Sequence, residues 1–165
     1  MAISTIVKTK RDGSLVFTDK DAGSSFTVAY EAGDLSITIP GRGANNYLDR
    51  GSITATPSVR YADDAPVTGS FTAYLRDMSD GSYETLMEIM CQTGHVSSTW
   101  VSTLGTNAEV FTVKLTWTVE GTDHGDSADH VCAMDHCYVT GSVSEGDPDT
   151  LSLNFTSYEV YPTLT

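Results

Sequence analysis

Most signatures of membrane, secreted and catalytic proteins are missing from this chain. No run of eighteen apolar residues occurs, which leaves no candidate for a membrane-crossing helix. Residues Met1 to Thr5 lead straight into an alternating pattern with no basic segment ahead of an apolar one, so neither secretion nor membrane insertion is signalled. Cysteine is scarce. Cys91, Cys132 and Cys137 are an odd number in a chain of 165 residues, long enough to bury about two-thirds of its unfolded surface without covalent staples, and they are expected to be reduced thiols. Nucleophile elbows, phosphate loops, H-E-x-x-H and dinucleotide fingerprints are all absent, so no enzyme activity and no cofactor is expected.

Positive charge is the other shortage. Of nine basic side chains seven fall in residues 1–60, against six acids there, while Arg76 and Lys114 alone accompany sixteen acids in the remainder. The formal net charge of −13 disfavours phosphate recognition by a basic patch. The imbalance fits electrostatic complementarity within the fold or between copies, and equally a repulsive, soluble acidic surface or a salty habitat.

What is present is alternation of apolar and polar residues with a period of two. Leu15 and Phe17, then Phe26, Val28 and Tyr30, then Leu35, Ile37 and Ile39 mark strands early in the chain; Ile53, Ala55, Val59 and Tyr61 form another. Val67, Gly69, Phe71, Ala73 and Leu75 face one way, as do Phe111, Val113, Leu115, Trp117 and Val119. Val131, Ala133, Cys137, Val139 and Val143 read as a core-facing register, and Leu151, Leu153 and Phe155 close the series, with a bulge expected near Ser157 where the phase changes. Asp-Gly, Pro-Gly and Asp-Pro turns separate these runs, and residues 1–165 read as one domain. The expected fold is all-β, sandwich or barrel-like, with two packed antiparallel sheets and one flanking α-helix.

That helix is expected over residues 82–93. Tyr83, Leu86, Met87 and Met90 form one apolar stripe with Glu84, Glu88 and Gln92 away from it; Ser82 is placed to cap the first turn and Gly94 to end the last. Two further stretches stand out. Residues 40–47, rich in glycine and asparagine and carrying Arg42, suggest a projecting loop. Residues 122–137 gather three histidines and two cysteines, yet an extended strand puts Cys132 and His136 about 13 Å apart and turns Cys137 to the other face. His130 and Cys132 could share an ion only if His124 or Asp126 folded back, so no metal site is expected, with that pair as the weak candidates. Trp100 and Tyr47 would be the contacts of a carbohydrate- or host-surface-binding module, the alternative reading of such a β-domain.

Several segments point to a family. Gly33-Asp34-Leu35-Ser36, Tyr47-Leu48-Asp49-Arg50-Gly51, Pro66-Val67-Thr68-Gly69-Ser70-Phe71-Thr72 and Glu145-Gly146-Asp147-Pro148-Asp149-Thr150-Leu151 resemble, in that order, the tail tube proteins of long-tailed bacterial viruses. The resemblance implies a structural virion protein, assembled in the host cytoplasm into six-membered rings that stack as the tail tube and contact other tail proteins. Viral DNA would pass through the lumen without specific binding, and no membrane would be involved. The loop from Arg42 to Tyr47 looks like the one that reaches a neighbouring ring, which makes Arg42, Asn45, Asn46, Tyr47 and Arg50 candidate inter-subunit contacts. Tail terminators and baseplate ring proteins share related folds, and a zinc hydrolase is the remote alternative. A ring of six would bring together −78 formal charges, six times −13, a poor surface for nonspecific adhesion of DNA.

Overall fold

Alternating segments become strands wherever their apolar phase is covered on one side, and β-branched residues hold that extended backbone. A computed structural model describes residues 7, 13–19, 25–28, 34–47, 58–91, 93, 113–159 and 161–165. Within them lie β1 (Gly13–Asp19), β2 (Ser25–Val28), β3 (Ser36–Thr38), β4 (Ala44–Tyr47), β5 (Ser58–Tyr61), β6 (Val67–Tyr74), α1 (Leu86–Cys91), β7 (Val113–Val119), β8 (His130–Ser144), β9 (Thr150–Ser157) and β10 (Thr163–Leu164). The all-β class is as the alternation indicates. The strands run antiparallel in the order β2-β1-β7-β8-β9-β6-β3, with β10 also on β8, while β4 and β5 form a separate two-stranded ribbon.

Two separate packed sheets are not what the described strands make. One sheet folds over on itself, and β8 is the strand that carries it around. It pairs with β7 from His130 to Met134 and again at Cys137, and from Cys137 to Ser144 it pairs with β9. Phe17 on β1 and Phe71 on β6 have three strands between them in the sheet, yet their ring centroids are 6.0 Å apart. Leu15, Leu115, Met134, Val139, Leu153 and Phe155 are among the side chains buried with them in one core. At roughly 25 cal/mol per Å² of apolar surface removed from water, each such side chain contributes on the order of 1.5–3 kcal/mol.

A bulge in β8 makes the fold possible. Leu115 pairs with Met134 and Val113 with Cys137, so Lys114 stands opposite both Asp135 and His136. His136 has φ 52°, a left-handed conformation that a non-glycine residue adopts only when its surroundings enforce it. Those surroundings are the end of β9: Ser157 Oγ donates to the Asp135 carbonyl at 2.9 Å, Tyr158 N donates to the His136 carbonyl at 3.1 Å, and Asp135 N donates to Glu159 Oε2 at 3.1 Å. The extra residue switches the phase of the strand. Cys132 and Met134 are buried before it, and Cys137 and Val139 after it. This corrects the expected register through Val131 and Ala133, and it returns Cys137 to the side of Cys132. The bulge lies on β8, across from Ser157 rather than at it.

The helix is shorter than expected. Thr85, not Ser82, caps it, with Glu88 N donating to Thr85 Oγ1 at 3.2 Å. Ser82 and Tyr83 belong to a preceding turn in which both amides donate to Asp80 Oδ1, and Tyr83 is 71% exposed. The buried face is Leu86, Glu88 and Ile89, with Met87 and Met90 half-buried against the core. Glu88 points inward because Ser79 Oγ donates to Oε1 at 2.7 Å, which makes the loop before the helix part of its packing. Close approach to β8 requires Gly141, where a β-carbon would come within 2.6 Å of Met90 Sδ. Gln92 and Gly94 lie outside the described residues.

Candidate functional site

The stretch expected to be a loose loop is half of a β-ribbon. Thr38 pairs with Thr68 in the main sheet, Ala62 N donates to the Gly43 carbonyl at 2.9 Å, and the pairing continues from Ala44 opposite Tyr61 to Tyr47 opposite Ser58. Strands β3 and β6 are therefore prolonged by β4 and β5 into one arm that leaves the sheet at Thr38 and returns at Val67. From Thr38 to Tyr47 an extended chain reaches about 30 Å. Glycine serves the close crossing at Gly43, where a β-carbon would meet Ala62 Cβ at 3.0 Å.

A two-stranded ribbon is marginal alone in water, so its attachment to the body matters. Arg42 supplies one. Its Nε donates to Tyr161 Oη at 3.1 Å, and its guanidinium carbon stands 5.2 Å from the centroid of the same ring. The segment carrying Tyr161 continues into β10, where Thr163 pairs with Ala133 and Leu164 with Cys132, and Thr165 exchanges two backbone hydrogen bonds with Val131. The root of the arm is thus tied through Tyr161 to the first half of β8. No spacing in the sequence relates Arg42 to a tyrosine 119 positions later, so this partner was not legible there.

Of the other candidate contacts, Asn45 is exposed in β4 opposite Arg60, while Asn46 and Tyr47 occupy the positions opposite Val59 and Ser58. Arg50 and Trp100 lie outside the described residues. The two weak metal candidates part company: His130 is exposed with Nε2 3.4 Å from Asp126 Oδ2, whereas Cys132 is buried in the core. No group of three or more His, Cys, Asp or Glu side chains suited to a metal ion occurs among the described residues. Burial raises the Cys132 thiol pKa and pushes that of Cys137 up to about 12, against a bonding contribution from Ser157 that lowers it. Both are poor nucleophiles as a result.

The acidic segment after β7 is a folded turn. Asp129 Oδ1 accepts hydrogen bonds from Gly121 N at 2.9 Å, Thr122 N at 3.0 Å and Thr122 Oγ1 at 2.9 Å. These bonds, the one from Gly121 N foremost, hold the carboxyl below its ordinary range. The carboxylate here organises backbone, which is the turn role its position suggests.

No protein-family model matches the chain, and no curated protein matches it. Its fold does have counterparts. A chain of the anti-feeding prophage baseplate, a cryo-EM structure with six-fold symmetry applied, superposes with a TM-score of 0.58, covering 100% of this chain and 97% of that one at 9% identity. The fold is one used in the anti-feeding prophage. A chain of the cap that terminates the tube of the same particle superposes with a TM-score of 0.55, covering 100% of this chain and 94% of that one, also at 9% identity. At that identity the likeness lies in the path of the backbone.

Proposed function

We propose that the chain is a structural subunit of a phage-tail-like particle, and that its copies close into rings of six which stack into a tube serving as the conduit for genome delivery. The observation that carries this reading is a fold likeness running the whole length of both chains, to components of a baseplate and of a tube-terminating cap. Within this reading, the segments that resemble tail tube proteins are the reason for preferring the tube among such roles. The arm adds a physical reason: a projecting ribbon on one part of a subunit meets a different surface on the next copy, and contacts of that heterologous kind generate rings or stacks. In this reading Arg42, Asn45, Asn46, Tyr47 and Arg50 contribute to the contact between rings, and other tail proteins meet the ends of the tube. DNA passes through without specific binding, and no catalysis is involved.

Size-exclusion chromatography with light scattering over a concentration series tests this. Mass should rise from that of a single 17.7 kDa chain to six copies and beyond as concentration increases. A mass fixed at one chain throughout would favour a monomeric binding module instead.

A further inference from the structure

One broad face of the sheet carries no charge. The second half of β8, then β9, β6 and β3 lie side by side, and their registers set Thr140 opposite Asn154, Asn154 opposite Ser70 and Ser70 opposite Ser36. The side chains of that phase, at even positions of 138–144, 150–156, 68–74 and 36–38, are all serine, threonine, asparagine or tyrosine, and each is exposed or half-buried. Phe71, Val139, Leu153 and Phe155 belong to the opposite phase and lie in the core. Around β1, β7 and the first half of β8 the outward side is different. Lys114 and Asp135 form an ion pair there at 3.5 Å, and Val16 and Ala133 face outward in register with Thr116.

A neutral face of this extent needs a reason in a chain with 22 acids, 9 bases and a net charge of −13. Its chemistry is poor for tight contact between proteins, because the centres of such contacts favour aromatic side chains, methionine and arginine and are depleted in serine. Here Tyr138 and Tyr74, 37% and 38% exposed, stand at opposite corners, and the middle is left to small hydroxyls and the Asn154 amide. Side chains of this kind keep their water.

We infer that this face lines the water-filled channel of the tube. The inference rests on the tube reading and adds the surface that a passing polymer meets. Copies in a ring converge on its axis, so a carboxylate on the face turned inward would repel its own copies at the shortest distances, and a neutral face removes that opposition to ring closure. A DNA duplex carries one negative charge per about 1.7 Å of its axis, so a basic wall would hold it and an acidic wall would oppose its entry. A hydrated wall without charge does neither. The net charge of the subunit is then carried by its other surfaces.

Thiol labelling of long tubes tests it, in a Cys91→Ser background because Cys91 is the exposed native thiol while Cys132 and Cys137 are buried. Ser142→Cys and Ser152→Cys each place a thiol on the face, at exposed positions paired across β8 and β9. In tubes each should react fully with N-ethylmaleimide but lose reaction with a large branched polyethylene glycol maleimide, and in dissociated subunits each should react with both. Labelling of tubes by both reagents would put the face on the outer surface. Labelling by neither, or failure of both variants to assemble where the parent does, would put it in a contact between copies. Each of these results overturns the inference while the tube reading stands. A parent protein that forms neither rings nor tubes would overturn both.

Discussion

Gly69 shows how tightly single residues are specified. It sits in β6 between Ile37 and Phe155, and a β-carbon there would lie 2.3 Å from Phe155 Cζ and 2.5 Å from the Ser36 carbonyl oxygen. The phenylalanine ring occupies the space a side chain would need, and the neighbouring backbone cannot retreat without losing β3. Gly69→Ala should therefore destabilise the domain by about 1–3 kcal/mol in chemical denaturation, whereas Gly81→Ala, with nothing within 4 Å, should stay within about 0.5 kcal/mol of the parent. Asp129 makes a prediction about pH. Its folded pKa lies below the ordinary 3.8, so the turn it organises is fully stabilised above that value and loses the contribution as pH falls through the folded pKa. A carboxyl NMR titration of Asp129 should give a midpoint below 3.8, with the Gly121 and Thr122 amide signals moving in step; a midpoint at or above 3.8 would remove the staple from the account.

Among the elements, strands were legible and their irregularities were not. Val113 and Leu115, Phe71 and Ala73, and Leu151, Leu153 and Phe155 are buried as their alternation indicates, since one covered face is enough to produce the pattern. The bulge in β8 was misplaced because its cause is long-range: His136 is held in a left-handed conformation by Ser157, Tyr158 and Glu159, and no local signal marks it. The helix is legible and so is most of its face, Leu86, Met87 and Met90, whereas Tyr83 turns outward and the buried Glu88, bonded to Ser79 of the preceding loop, is not legible. The capping assignment can be checked directly. Thr85→Ala should cost about 1 kcal/mol of stability through loss of the bond to Glu88 N, and Ser82→Ala should cost almost nothing. Equal effects would mean that the helix begins where the sequence pattern first placed it. The arm reads in sequence as a loop, since glycine and asparagine at 41, 43, 45 and 46 hide a ribbon whose partner strand lies beyond Pro57.

For the whole molecule, the folded sheet supplies a body and the ribbon supplies reach. One end of β6 carries the arm, the other a cleft, and the excess of negative charge discourages adhesion of nucleic acid to the molecule. The central claim is that this body repeats by ring closure and stacking. Electron microscopy of the purified protein at increasing concentration tests it most directly. The account predicts rings with six-fold class averages, lengthening into hollow tubes at high concentration and reverting to short stacks when residues 41–64 are replaced by a tight turn that keeps β3 paired to β6. Isolated particles of single-subunit size at every concentration would contradict it.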